Sequence, residues 1–563
     1  MQVNMHPLRI GGLRVIVVWL AIFVLLAIVV SRLLWIQVLH PERLIAEGNA
    51  RVVRNYFYEP PRGLIADRNG EIMAISVPVK TVDADPKIMH ESGLWHDPSA
   101  MEKIASVLEL DLKDLKERTR DKHRRFVHLK RYLNQTAAET LKAFAARGIL
   151  LNDSYKRVYP SGSDSAPLIG ILNGEGEGVY GIEQSFNRYL TSSASSRIAK
   201  KDRFNRIIEN VGVTKNGSQG GNIMLSVDLR LQSYAYERLA QAVNENDADS
   251  GTAVLMAVKT GEILAMVSCP SFDPNERKSF DSANAKDRAV TDIIEPGSTL
   301  KPLIALAALE NGTTNWNKVY DTRPFKVDGK RVSDSHSMDS GSLLDIIKYS
   351  SNTGMAHISM SMGPQKSLEM LRRFGFGKRT ESGIIGENDG KLNDRRRFWS
   401  EIDVATLGFG YGVAVTNLQL ASAYATLANG GRRMPVSILR QSKQPAFKEV
   451  ASERDVRHMI SALETVVAEG TGGKAAISRY RVAGKTGTAK MATVGGYGNS
   501  YIGTFAGFAP LSDPKFSLVV IIKNPKAGKF YGGTVSGPVF SDVMSRALQL
   551  YNVAPDRSLQ EKN

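Results

Sequence analysis

Three short motifs stand in fixed order along this chain, Ser298-Thr299-Leu300-Lys301, Ser350-Ser351-Asn352 and Lys485-Thr486-Gly487-Thr488, and a fold that uses them must bring distant segments to one place. Together they hold the parts of a serine acyl transfer. That chemistry needs a nucleophile, a base within reach of its proton, a second proton carrier for the leaving amine, and donors for the developing oxyanion. No one motif is specific, because three-residue patterns recur by chance. A second S-x-x-K occurs at Ser512-Asp513-Pro514-Lys515, a second K-T-G at Lys259-Thr260-Gly261, and further S-x-N strings begin at Ser185 and Ser282.

Context separates them. Pro514 makes the Ser512 site a turn, and Lys259-Thr260-Gly261 joins two apolar runs as the tip of a β-hairpin. Ser298 instead follows the break Pro296-Gly297 and precedes the helical run Leu303-Ile304-Ala305-Leu306-Ala307-Ala308-Leu309, so it opens a helix. Free backbone N–H groups and the positive dipole end at such a terminus favour an alkoxide or tetrahedral oxyanion. A separation of three puts Lys301 on the same face, one turn below, where it can touch the hydroxyl.

For Lys301 to act as a base near neutrality its pKa must fall far below the ordinary lysine value, a differential interaction of several kcal/mol. Burial and a second cation supply such a shift, and Lys485 is the obvious second cation. Its segment has edge-strand character with small residues. Gly487 would let a substrate backbone approach, and Thr486 and Thr488 would hold a terminal carboxylate. Ser350 and Asn352 sit where the apolar helical stretch 343–349 gives way to polar residues. Alone they read as a cap or turn; with the other motifs they read as a proton relay through Ser350 and a substrate amide contact from Asn352.

Residues 15–31 carry no charge, and apolar character resumes after Arg32, enough for one membrane span of about 20 residues. Arg32 can snorkel outward. Arg9 and Arg14 precede the span with no nearby acid, which favours a cytoplasmic N-terminus, and no small-residue cleavage site follows closely, so the segment reads as an uncleaved anchor. The net charge of +16 comes without a nucleic-acid recognition motif, and an anionic membrane and cell wall account for it equally well. Lys113 to Arg131 is the densest basic stretch and reads as a solvated face, with contact to anionic lipid or glycan the alternative. Cys269 is the only cysteine, so no intramolecular disulfide forms, and its apolar run makes it a buried thiol. No clustered Cys/His pattern or phosphate-binding loop is present, and no cofactor or metal is expected.

The 563 residues predict several domains: a cytoplasmic tail at 1–12, a transmembrane anchor helix at 13–39, a mixed extracytoplasmic pedestal at 50–220, a catalytic domain at 221–553 and a flexible tail at 554–563. The seam is the polar, glycine-rich stretch 214–221. Beyond it, strand, helix, hairpin, a helical middle and late strands near Lys485, 501–508 and 516–522 predict an α+β domain, an antiparallel sheet with helices on its faces.

At the level of whole motifs the chain resembles the class B penicillin-binding proteins, monofunctional peptidoglycan D,D-transpeptidases, from about residue 30 to about 550. The motif triplet carries the resemblance. So do Pro61-Arg62-Gly63-Leu64-Ile65-Ala66-Asp67-Arg68-Asn69-Gly70, Arg157-Val158-Tyr159-Pro160, Gly178-Val179-Tyr180-Gly181-Ile182-Glu183, Gly408-Phe409-Gly410-Tyr411-Gly412 and Tyr531-Gly532-Gly533. Ser-Ser-Asn and Lys-Thr-Gly-Thr look more like the division-type (septal) penicillin-binding protein 3 branch than the rod-elongation branch. Asn417 departs from the family, which usually has proline there.

The resemblance implies the penicillin-recognising serine transpeptidase fold, with Ser298, Lys301, Ser350, Asn352 and Lys485 catalytic, Thr486, Gly487 and Thr488 binding substrate, and the backbone N–H groups of Ser298 and Thr488 as the oxyanion hole. It also implies a single-pass protein of the bacterial inner membrane with its catalytic domain in the periplasm. Its expected partners are stem peptides, lipid-linked precursor strands, β-lactams, a polytopic membrane glycosyltransferase and other division proteins. No glycosyltransferase domain fits in the pedestal. Three rivals share the site or the architecture: a D,D-carboxypeptidase using water as acceptor, a β-lactamase, and a non-enzymatic β-lactam sensor or scaffold.

Overall fold

The computed structural model describes residues 11–557 apart from 59, 202–206, 395 and 494–495. Most of the expected tail at 1–12, with Arg9, and residues 558–563 of the expected tail at 554–563 lie outside the described residues. Helix α1 (Gly12–Leu34) continues through one wider turn at Trp35–Leu39. Among the described residues this 28-residue run is the one helix long and apolar enough to cross a membrane. None of α1 is buried against the rest of the chain. The Arg32 guanidinium lies 4.6 Å from the Trp35 ring centroid, an aromatic partner for the cation that interrupts the apolar run.

The chain forms two compact units, and the glycine-rich linker's prediction of one seam understates how often it passes between them. One unit comprises residues 1–60, 78–154 and 192–219; the other comprises 61–77, 155–191 and 220–563. A composition shift marks a single boundary, whereas segments that return to a unit through side-chain pairing leave no such mark.

In the smaller unit Val82, Met89, Met101, Ile104, Leu108, Leu129 and Leu141 share one core. The helix Pro98–Leu108 begins where the Asp97 side chain accepts the Ala100 N–H, and it buries Met101, Ile104, Ala105 and Leu108 at helical spacing. The basic stretch is laced with ion pairs, Arg118 to Asp114, Arg125 to Asp85 and Lys130 to Glu109, each with an exposed or half-exposed partner, as a solvated face requires.

The larger unit is built on a five-stranded antiparallel sheet of β1 (Ser250–Ala257), β2 (Ile263–Cys269), β3 (Ala483–Thr493), β4 (Gly496–Ala509) and β5 (Phe516–Lys523), in the order β2-β1-β5-β4-β3. β1 and β2 form the expected hairpin, and Cys269 is buried in β2. Both faces of the sheet are covered, so β1, β2 and β5 are buried along nearly their whole length rather than on alternate residues. Helices α2 (Leu229–Glu245) and α7 (Gly537–Leu550) cover one face through Leu231, Leu239, Phe540, Val543 and Met544. Over the other lie α3 (Lys301–Glu310), α4 (Asn352–Met362), α5 (Asn417–Ala428) and α6 (Glu453–Ala468).

Every residue of α5 is buried. Its start explains Asn417: Thr416 and Gln419 form a capping box, and Asn417 takes the first helical position, which proline also suits. The Asn417 amide donates to Thr252 Oγ1 at 2.8 Å, tying the helix start to β1.

Segments 61–77 and 155–191 are held in this unit by a buried ion cluster. Glu183, fully buried, takes Arg62 Nε at 2.7 Å and Arg157 Nε at 2.8 Å, and both guanidiniums are nearly buried. Arg157 also donates to the Gly63 carbonyl at 2.8 Å. A paired buried carboxylate that loses its charge leaves two guanidiniums uncompensated. Glu183→Gln is therefore expected to lower unfolding stability by about 3–5 kcal/mol in chemical denaturation followed by tryptophan fluorescence; an unchanged midpoint would show the cluster to be dispensable.

Candidate active site

Ser298 stands in a tight turn, Gly297–Leu300, that feeds directly into α3. Gly297 has φ +55°, a conformation that side-chain-bearing residues rarely take, and this lets the chain double back after Pro296. The turn is then pinned from several sides. Thr299 donates its hydroxyl to the Pro296 carbonyl at 2.7 Å, Gly297 N–H reaches the Gly410 carbonyl at 3.2 Å, and the fully buried Tyr424 of α5 donates to the Thr299 carbonyl at 2.8 Å. Ser298 itself is half-buried, and among the described residues its hydroxyl makes no hydrogen bond.

Lys301, the first residue of α3, is completely buried. The spacing predicts contact with Ser298, but the ammonium turns elsewhere. Its hydrogen bonds run to the Ser350 carbonyl at 2.5 Å, Asn352 Oδ1 at 2.8 Å and Ser350 Oγ at 3.2 Å. A buried ammonium has three protons to place, and these acceptors take all of them.

Ser350 and Asn352 straddle a junction between two helices rather than a helix-to-loop end. The helix Leu343–Lys348 stops, Ser350 adopts φ +63°, and Ser351 caps α4 by accepting the Gly354 N–H. Asn352 Nδ2 donates to the Ser333 carbonyl at 3.1 Å, which leaves Oδ1 facing Lys301. Asp334 accepts the backbone N–H groups of Asn352 and Thr353 at 2.6 and 2.9 Å and the Ser351 hydroxyl at 2.5 Å.

The third motif lies on β3, the sheet edge, where a strand keeps backbone groups open on one side. Lys485 is completely buried, with Nζ 3.2 Å from the Thr486 carbonyl. The Thr486 and Thr471 hydroxyls are 2.8 Å apart, and Thr488 Oγ1 accepts the Gly532 N–H at 3.1 Å. The structure gives Gly487 a reason other than approach by substrate. A Cβ there would lie 2.9 Å from Thr299 Cγ2 and 3.0 Å from the Pro296 carbonyl, so a side chain would push the nucleophile turn off the strand.

Burial, then the charge of Lys485, hold Lys301 well below the ordinary lysine range; the Asp334 carboxylate acts the other way. Burial also lowers Lys485, to about 7. All eight residues singled out in the motifs lie in one unit, and the decoys of that unit make their contacts elsewhere. Lys259 sits at the β1–β2 turn, bonded to Asn429, while Lys515 lies between β4 and β5, paired with Asp513.

Pattern reasoning misses Asp334 and Tyr424, which reach the site only through the fold. Motif spacing gives no role to Glu295, which adjoins the first motif. Its half-buried carboxyl, raised by burial, accepts from Gly412 N–H and Tyr497 OH.

The chain is similar to known proteins along nearly its whole length. Residues 251–545 match the penicillin binding protein transpeptidase domain, and residues 58–225 match the penicillin-binding protein dimerisation domain. Over 538 residues the chain is 40% identical to peptidoglycan D,D-transpeptidase FtsI of Escherichia coli, covering 95% of this chain and 91% of that protein. It is 35% identical over 559 residues to the probable peptidoglycan D,D-transpeptidase PenA of Neisseria meningitidis, covering 98% and 95%. The solved structure of penicillin binding protein 3 from Mycobacterium tuberculosis, complexed with aztreonam, shares the fold. Its TM-score is 0.67 at 24% identity, over 90% of this chain and 99% of that one.

A lysine whose pKa is lowered by folding destabilises the folded state wherever it is still protonated there. For Lys485 the penalty is full below about 7 and fades as pH rises toward 10.5. Lys485→Met is accordingly expected to melt at a higher temperature than the wild type at pH 7, with the gap shrinking toward pH 10. A variant that melts lower at pH 7 would mean that Lys485 stabilises the fold.

Proposed function

The chain belongs to the class B penicillin-binding proteins, and we propose that it cross-links peptidoglycan as a D,D-transpeptidase of septal wall synthesis, using the three motifs as one acyl-transfer site. The observation that carries the reading is Lys301, fully buried one turn after Ser298, with its ammonium bonded to both Ser350 and Asn352.

A neutral amine donates two protons instead of three and gains a lone pair. Once Lys301 sheds its proton, it can accept one from Ser298. The Ser298 alkoxide then attacks the carbonyl of the penultimate D-Ala in a stem peptide. The backbone N–H groups of Ser298 and Thr488 receive the oxyanion. Support for the second donor is that Thr488 lies on the open edge strand, and the adjoining Gly487 packs on the nucleophile turn.

Ser350, coupled to Lys485, passes a proton to the departing amine. D-Ala leaves, and an ester remains on Ser298. The amino group of a second stem peptide attacks that ester, forms the new amide and regenerates the serine. Asn352 contacts the donor amide, while Thr486, Gly487 and Thr488 line the strand on which the donor peptide lies and hold its terminal carboxylate. β-Lactams enter the same path, but the amine freed by ring opening stays tethered to the acyl group instead of departing, so the ester persists.

The architecture follows from the same reading. Helix α1 anchors the chain as a single span, with Arg14 at its cytoplasmic end and the chain that follows the span in the periplasm. The unburied surface of α1 is available to a polytopic glycosyltransferase and other division proteins. Lipid-linked strands would supply the donors.

Intact-protein mass after incubation with a penicillin tests the reading. Wild type is expected to gain one stable acyl adduct and Ser298→Ala none. No adduct on correctly folded wild type would sink the acyl-enzyme mechanism, and an adduct that hydrolyses rapidly would mark a β-lactamase. D-Ala released from a pentapeptide substrate together with dimeric product identifies the transpeptidase; D-Ala without dimer identifies a carboxypeptidase.

A further inference from the structure

Asp334 follows the short strand Lys330–Val332 and belongs to none of the three motifs, yet it accepts hydrogen bonds from Ser351 and Asn352 of the second motif and from Thr353 just after it. Its Oδ1 takes the backbone N–H groups of Asn352 and Thr353, the first two residues of α4. Its Oδ2 takes the Ser351 hydroxyl at 2.5 Å, and the Thr353 hydroxyl lies 2.8 Å from the same oxygen. The neighbouring Ser333 carbonyl takes Asn352 Nδ2, so two consecutive residues of one loop fix both the backbone and the amide orientation of Asn352.

We propose that Asp334 is a positioning residue for acyl transfer, a carboxylate clamp that holds the start of α4 so that Asn352 Oδ1 and Ser350 face Lys301. Three observations support the assignment. The φ of +63° at Ser350 is costly for a residue with a side chain, so something must hold it, and Asp334 locks the residues immediately after it. A flip of the Asn352 amide would turn an NH₂ group toward the Lys301 ammonium, and the Ser333 carbonyl opposes that flip. The carboxylate is also the anion that acts on Lys301, against the cation of Lys485 on β3, so one side chain sets both the geometry of the base and part of its field.

The inference rests on Lys301 being the base, and the two can fail separately. The test measures penicillin acylation by the full-length chain in detergent, resolved into the non-covalent binding constant and the acylation step, across pH 5–10. Asp334→Asn presents NH₂ where donors now point. It is expected to slow the acylation step about 10–100-fold with binding unchanged. Without the anion the ammonium of Lys301 is less favoured, so the acid limb of the rate profile moves to lower pH. Asp334→Glu keeps the charge but displaces it, and is expected to slow acylation without moving the acid limb.

A folded Asp334→Asn that acylates at the wild-type rate with an unmoved acid limb overturns the inference and leaves the acyl-enzyme mechanism intact. Wild type that forms no ester fails the mechanism itself. Should Asp334→Asn not fold, Thr353→Val, which removes one hydroxyl from the carboxylate, carries the test. Severalfold slower acylation at unchanged binding supports the clamp, and the wild-type rate overturns it.

Discussion

Two lysines from opposite ends of the catalytic unit, Lys301 and Lys485, are buried without a carboxylate in direct contact, and the rest of that unit is arranged around keeping them so. A buried ammonium is unfavourable in a low-dielectric interior, and two near each other are worse. The protein answers with neutral acceptors: the Ser350 carbonyl, Asn352 Oδ1 and the Thr486 carbonyl. These acceptors hold a lysine without restoring its ordinary proton affinity, as an ion pair would. The site therefore keeps amines ready to lose protons near neutrality at some cost in stability.

The motifs depend on one another structurally as well as chemically. The nucleophile turn lies on the edge strand because Gly487 has no Cβ, and it stays there because Tyr424 reaches up from the fully buried α5 to the Thr299 carbonyl. The second motif is oriented by a loop that belongs to neither of the others. A sheet closed on both faces gives these contacts a rigid base, which a site needing sub-ångström placement requires.

What could be read from the sequence was whatever has a local period or a fixed spacing. The apolar span became α1, the run after Ser298 became α3, and the late apolar runs became β4 and β5. Pro514 and the hairpin at Lys259 eliminated the decoys for reasons that the structure shares. The direction of the Lys301 side chain was not legible. Its best acceptors lie on a junction made by Ser350's left-handed backbone, which nothing around Ser350 announces. Asp334 and Tyr424 were missed because each acts across a contact that spacing cannot encode. The division into two units was hidden for the same reason: Arg62 is far in the chain from Arg157 and Glu183, and their segments meet through ion pairs and a shared apolar core that no local pattern marks.

The central claim is that burial and a neighbouring cation, rather than a carboxylate partner, set the proton affinity of Lys301. The most direct measurement is the second-order rate of wild-type acylation by a penicillin between pH 5 and 10. A rate that rises with a midpoint well below the ordinary lysine value of 10.5 agrees with the lowered lysine. A rate that goes on climbing toward pH 10, with the midpoint of an ordinary lysine, would contradict it.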